Sequence, residues 1–157
     1  MKQIITPSEV KALAFADGEY LASEVIAVAD IDAVIEQWIL PVVGGGLLEA
    51  VAEGSYTEMV ENYLKPAIAA FVRCLVQPRL NTVTGQAGLA VPVGSYRKAA
   101  DEQARKELSS SLMVRAKALR RALSGYLESH SDQIAEYDPE QNILNRCSCY
   151  GGVVQIH

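Results

Sequence analysis

Residues 95–127 read SYRKAADEQARKELSSSLMVRAKALRRALSGYL. Within this stretch Ala104, Leu108, Leu112, Ala116, Leu119, Leu123 and Leu127 recur at steps of three and four residues. That spacing lays them along one face of a helix of about nine turns. Ser95 stands where an N-cap belongs, and Ser124-Gly125 weakens the last part of the helix. A helix with a single apolar stripe must bury that stripe against neighbours, so the stretch predicts an all-α bundle.

Upstream, the same period recurs in shorter pieces. Thr6-Pro7-Ser8-Glu9 combines a cap, a proline at the first helical position and a Glu that completes a capping box. This first helix should end near Asp17-Gly18. A second start near Asp30 carries Ile31, Val34, Ile35, Trp38 and Ile39 at helical spacing, closed by Pro41 and Gly44-Gly45-Gly46. Leu47–Ala52 reads as a short helix ended by Gly54, and Ser55-Tyr56-Thr57-Glu58 as a further capping box. The helix it opens carries Met59, Tyr63, Ala67, Phe71, Val72 and Leu75, with Pro66 inside the pattern predicting a kink or a break.

Residues 78–94 interrupt the helical pattern. PRLNTVTGQAGLAVPVG has two Pro, three Gly and no charge after Arg79. Thr82, Val83 and Thr84, then Val91 and Val93, form two short extended arms around Gly85 and Gly88. An uncharged loop of this length is expected to pack on something outside its own domain. Its candidate contact residues are Asn81, Thr82, Val83, Thr84, Gly85, Gln86, Gly88, Leu89, Val91 and Val93. Beyond turns at Ser131-Asp132 and Asp138-Pro139, the end of the chain reads as an edge strand or an arm. The expected architecture is about five helices, with one long C-terminal helix and a long extended or hairpin-like loop before it. Residues 1–138 form the helical domain and 139–157 a tail.

Half of the 157 residues are hydrophobic and 21% are charged, which suits one globular domain rather than a disordered chain. The opening MKQIITPSEV lacks the apolar run of a signal peptide, and no apolar stretch is long enough to span a bilayer. Three cysteines without a regular framework point to a reducing compartment. The net charge of −5 conceals a polarity: residues 1–64 carry −9, residues 65–127 carry +8 and residues 128–157 carry −4. Either these segments neutralise each other within one fold, or opposite faces meet between subunits.

No reactive constellation stands out. Cys147-Ser148-Cys149 is closer spaced than a zinc-ligand pair, and Cys74, His130 and His157 supply no matching motif, so no metal and no cofactor are expected. His130 lies near a helix end, where a partly positive side chain is favoured. Gly44-Gly45-Gly46 lacks the Lys-Ser/Thr of a phosphate loop and follows a helix, so it reads as a turn. Arg115, Lys117, Arg120 and Arg121 form a basic cluster on the long helix, with Arg97 and Lys98 before it. A salt-bridging face is its simplest role, and any contact with DNA would be to phosphates rather than to sequence. No catalytic residue is expected.

Four segments in order carry a resemblance: IITPSEVKALAFAD, DIDAVIEQWILPVVGGGLLEAV, ENYLKPAIAAFVRCLVQPRLNTVTGQAGLAV and the long-helix stretch quoted above. Together, from Thr6 to Leu127, they resemble the small head-to-tail connector (adaptor) proteins of tailed bacteriophages and prophages, in the branch found with gut Bacteroidales-type bacteria. Tyr63-Leu64-Lys65-Pro66 leading through Leu80-Asn81 to Ser95 and then Asp101-Glu102 is the most telling part. The resemblance implies a helical, non-enzymatic virion protein, present in the host cytoplasm during assembly. It implies a ring of about a dozen copies joining the portal to tail-proximal proteins around a DNA channel. DNA contact would be non-specific, with no membrane and no small-molecule substrate. The loop from Asn81 to Gly94 maps onto the family's inter-subunit or channel loop. The short first helix and the tail beyond Asp138 depart from the common pattern. The alternative is a cytoplasmic helical binding module without catalytic activity, with its pocket between the long helix and the Pro66 helix.

Overall fold

The computed structural model describes residues 3–15, 25–80, 83–85, 88–90, 102–150 and 153–156. Among these, five helices make up the body: α1 (Pro7–Ala14), α2 (Val28–Val43), α3 (Gly45–Ala52), α4 (57–80) and α5 (Glu102–Ser129). The fold is all-α, with the longest helix last among the five. Two short antiparallel hairpins are appended to it. β1 (Val83–Gly85) pairs with β2 (Gly88–Ala90), and β3 (Cys147–Tyr150) pairs with β4 (Val153–Ile156).

The central helix is α4, which packs against α1, α2 and α5. Its Leu64, Ile68, Phe71 and Val72 are fully buried together with Val10 of α1, Ile31 and Ile39 of α2, Leu47 and Leu48 of α3, and Leu123 and Leu127 of α5. Each such side chain stabilises the fold by about 1.5–3 kcal/mol relative to exposure. The Thr6 capping box forms as read: Glu9 N–H donates to Thr6 Oγ1 at 3.3 Å, and Thr6 N–H donates to Glu9 Oε2 at 2.8 Å. Lys65 of α4 then reaches Glu9 Oε1 at 2.7 Å, tying this cap to the central helix. At the other end of α1, Arg73 of α4 donates to the Ala14 carbonyl and lies 4.6 Å from the Phe15 ring centroid. The helix therefore ends at Ala14, before the expected Asp17-Gly18, which lies outside the described residues.

Two interior prolines, Pro41 and Pro66, are absorbed by a local change of helix type. A proline removes one N–H, and its ring crowds the carbonyl four residues back. The turn before Pro41 (Ile35–Ile39) and the turn before Pro66 (Val60–Leu64) are π-helical, and this wider winding relieves the crowding. α4 consequently runs through Pro66 without breaking, and it includes Pro78, so the non-helical stretch begins after Leu80 rather than at Pro78. α2 likewise continues past Pro41 to Val43. It stops at Gly44, whose φ of 84° and ψ of 156° suit glycine alone, and α3 leaves there at 115° to α2.

The second capping box does not form. Ser55 N–H donates to the Ala50 carbonyl and Gly54 N–H to the Val51 carbonyl, which closes α3 in a Schellman motif with Gly54 at φ 103°. Ser55 thus belongs to the end of α3. Tyr56, left-handed at φ 59°, precedes α4 instead.

On α5 the apolar stripe is buried at Leu112, Ala116, Leu123 and Leu127, whereas Ala104 and Leu108 are exposed. The first turns of α5 therefore extend beyond the core. Ser95, the expected cap, lies outside the described residues. Ser124-Gly125 does not interrupt the helix. Asn142, 1% exposed, donates to Ser124 Oγ and to the Tyr137 hydroxyl, both at 2.8 Å. The packed body thus reaches into the segment after Asp138.

Candidate interaction surfaces

The basic cluster of α5 separates into two kinds of residue. Arg115, Lys117 and Arg121 are exposed. Arg120 is turned inward, with its guanidinium carbon 5.6 Å from the ring centroids of both Trp38 and Phe71. Those two rings stack at 5.0 Å and 9°. Burial, and then the neighbouring Arg121, lower the pKa of Arg120. Arg120 is thus a packing residue joining α5 to α2 and α4, a correction to its expected place on an outer face. Arg97 and Lys98 lie outside the described residues. Val114, 69% exposed, shares the outward face with Lys117 and Arg121, spaced three and four residues along the helix.

An opposing surface lies on α2. A groove of about 270 Å³ is lined by Gln3, Ile4, Val28, Ile31, Asp32, Ile35 and Glu36. Ile31 and Ile35 form its buried apolar floor, Val28 is 48% exposed at its edge, and the carboxylates of Asp32 and Glu36 are at the surface. Among the described residues, no ion pair within the chain engages Asp32, Glu36, Arg115, Lys117 or Arg121.

The root of the first hairpin is anchored by a forked ion pair. Arg79, one residue before the end of α4, donates to Asp30 Oδ1 at 2.6 Å and Oδ2 at 2.9 Å. Asp30 also accepts from Ala27 N–H at 3.2 Å, which caps α2. The start of α2 is therefore Val28 with Ala27 before it, and Asp30 sits one turn inside. Arg79 holds the Asp30 carboxyl below its usual range against the opposing effect of burial. Beyond this anchor, Val83, Thr84 and Gly85 pair antiparallel with Ala90, Leu89 and Gly88, so both glycines lie within strands and the second strand begins at Gly88, before the expected arm at Val91 and Val93. The expected contact residues Asn81, Thr82, Gln86, Val91 and Val93 lie outside the described residues.

The remaining singled-out residues have structural roles or lie outside the description. His130 closes α5, its Nδ1 2.9 Å from the Tyr126 carbonyl and its ring stacked on Tyr126 at 4.1 Å, in keeping with a helix-end role. Cys74 is half-buried, and burial raises its thiol pKa, which disfavours the nucleophilic thiolate. His157 lies outside the described residues. Among the described residues, no three His, Cys, Asp or Glu side chains gather as a metal site requires. No single described helix is long and apolar enough to cross a membrane.

Fold and surface together define an all-helical protein that presents an acidic-rimmed groove and a basic helix face on different helices. The chain belongs to DUF6712, a family of unknown function whose pattern matches residues 23–146. That span covers α2 to α5 and the buried Asn142. No curated protein and no solved structure matches the chain.

Proposed function

We propose that this chain is a structural protein of a tailed phage or prophage, a head-to-tail connector whose copies join side by side between portal and tail. The observation that carries the reading is the segregation of unpaired charge: acid on the outside of α2, base on the outside of α5. A ring needs a heterologous interface, in which one surface meets a different surface of the next copy. The hairpin that follows the Asp30–Arg79 fork is a further candidate for contact between copies. The Thr6–Leu127 resemblance supplies the phage context.

The binding-module reading draws less support. The groove between α4 and α5, lined by Pro66, Ala70, Leu112 and Leu119, holds only about 70 Å³. Small-molecule sites usually offer about 300 Å³ or more. Co-expression with the portal protein of the same genome tests the connector reading. A stable complex that carries a ring of this chain in electron micrographs supports it. A portal that purifies free of the chain, with the chain absent from particles, refutes it.

A further inference from the structure

We infer that the groove on α2 receives the outward face of α5 from a second copy, with Lys117 and Arg121 meeting the carboxylates of Asp32 and Glu36 and Val114 resting beside Val28 at the groove's edge. The inference rests on the connector reading and names the surfaces by which its copies meet.

Three features match. Lys117 and Arg121 are four residues apart on α5, and Asp32 and Glu36 are four residues apart on α2, so two ion pairs form across one crossing of the helices. Val114, one turn before Lys117, is the most exposed large apolar side chain among the described residues, at 69%. The groove offers an apolar floor and about 270 Å³, with Val28 at its edge. Each surface on its own is a poor partner for itself. Two α2 faces would oppose carboxylates and two α5 faces would oppose cations, and like charges across an interface suppress that pairing. The arrangement therefore favours α2 meeting α5 over like faces meeting, and such a contact, made head-to-tail, closes into a ring when its rotation permits.

Charge exchange tests the pairing. One variant carries Lys117→Glu with Arg121→Glu, and the other carries Asp32→Lys with Glu36→Lys. All four positions are exposed, and circular dichroism checks that both variants stay helical. In sedimentation velocity at low salt, each variant alone should associate about 100-fold more weakly than the parent chain. An equimolar mixture should recover association, because each altered face then meets its complement. Variants that associate like the parent overturn the pairing and leave the connector reading to the portal experiment. A parent chain that stays monomeric at low salt, or a mixture that fails to recover association, also overturns it. So does an α5 variant whose only defect is loss of DNA binding, since the basic face would then serve phosphates.

Discussion

Replacing Arg120 with Glu should unfold this protein more readily than any other charge reversal on α5. The guanidinium lies 5.6 Å from both the Trp38 and the Phe71 ring centroids. A cation near an aromatic face contributes about 1 kcal/mol at a half-buried position, so two rings amount to about 2 kcal/mol. A carboxylate there meets the negative ring faces, and leaving it desolvated without a partner costs about 1–3 kcal/mol more. The expected loss is about 4 kcal/mol. With a urea dependence of about 2 kcal/mol per molar, that loss moves the unfolding midpoint down by about 2 M. Lys117→Glu, one turn away and exposed, should stay within about 0.5 kcal/mol of the parent. Arg120→Met, which keeps the packing and drops the charge, should fall between them. Equal midpoints for Arg120→Glu and Lys117→Glu would refute the inward placement of Arg120.

Other outcomes follow from the polar anchors. Asp30→Ala removes both arms of the Arg79 fork and the cap on Ala27, and should lower stability by about 1–3 kcal/mol in the same urea assay. Glu9 is held down to about 2, chiefly by Lys65 and then by Thr6. A carboxylate depressed by folding stabilises above its ordinary pKa, so stability should decline as pH falls from 4.5 toward 2, and Glu9→Gln should flatten that decline. Tyr137, buried and donating to Glu128, is raised to about 12. Its neutral form stabilises below pH 10, and that contribution fades as pH passes 12, so Tyr137→Phe should remove a component near pH 12 from an alkaline absorbance titration. Gly44→Ala meets no atom within 4 Å, so its cost of about 1–3 kcal/mol, read from thermal unfolding, should come from backbone strain alone.

What the sequence disclosed was mostly local. The Thr6–Glu9 box is legible because both partners lie within one turn, and the long helix because its stripe persists over many turns. An extended pair near Gly85 and Gly88 was legible, although its second strand lies earlier than the valines suggested. Ser55 misled because the same residues serve a helix end as readily as a helix start, and the Schellman bonds from Gly54 and Ser55 decide the matter. Pro78 misled because a place near the helix end lets proline stay helical, while the expected disturbance at Pro66 takes the form of a wider, π-helical turn before it. The Asp30–Arg79 fork and the Arg120 contact with Trp38 and Phe71 join residues 49 or more apart, and no local pattern encodes them. Periodicity also could not tell Arg120 from Arg121, because adjacent helical positions differ by only about 100° and the boundary of the buried face falls between them.

Copies of this chain, on the connector reading, meet through complementary charge. Light scattering of the purified parent chain, across protein concentration at low and high salt, tests that most directly. Solvated charge pairs are screened over about 10 Å at 0.1 M salt, so the mass should grow beyond one chain at low salt and return toward a single chain as salt is raised. A single-chain mass at every concentration and every salt would contradict it.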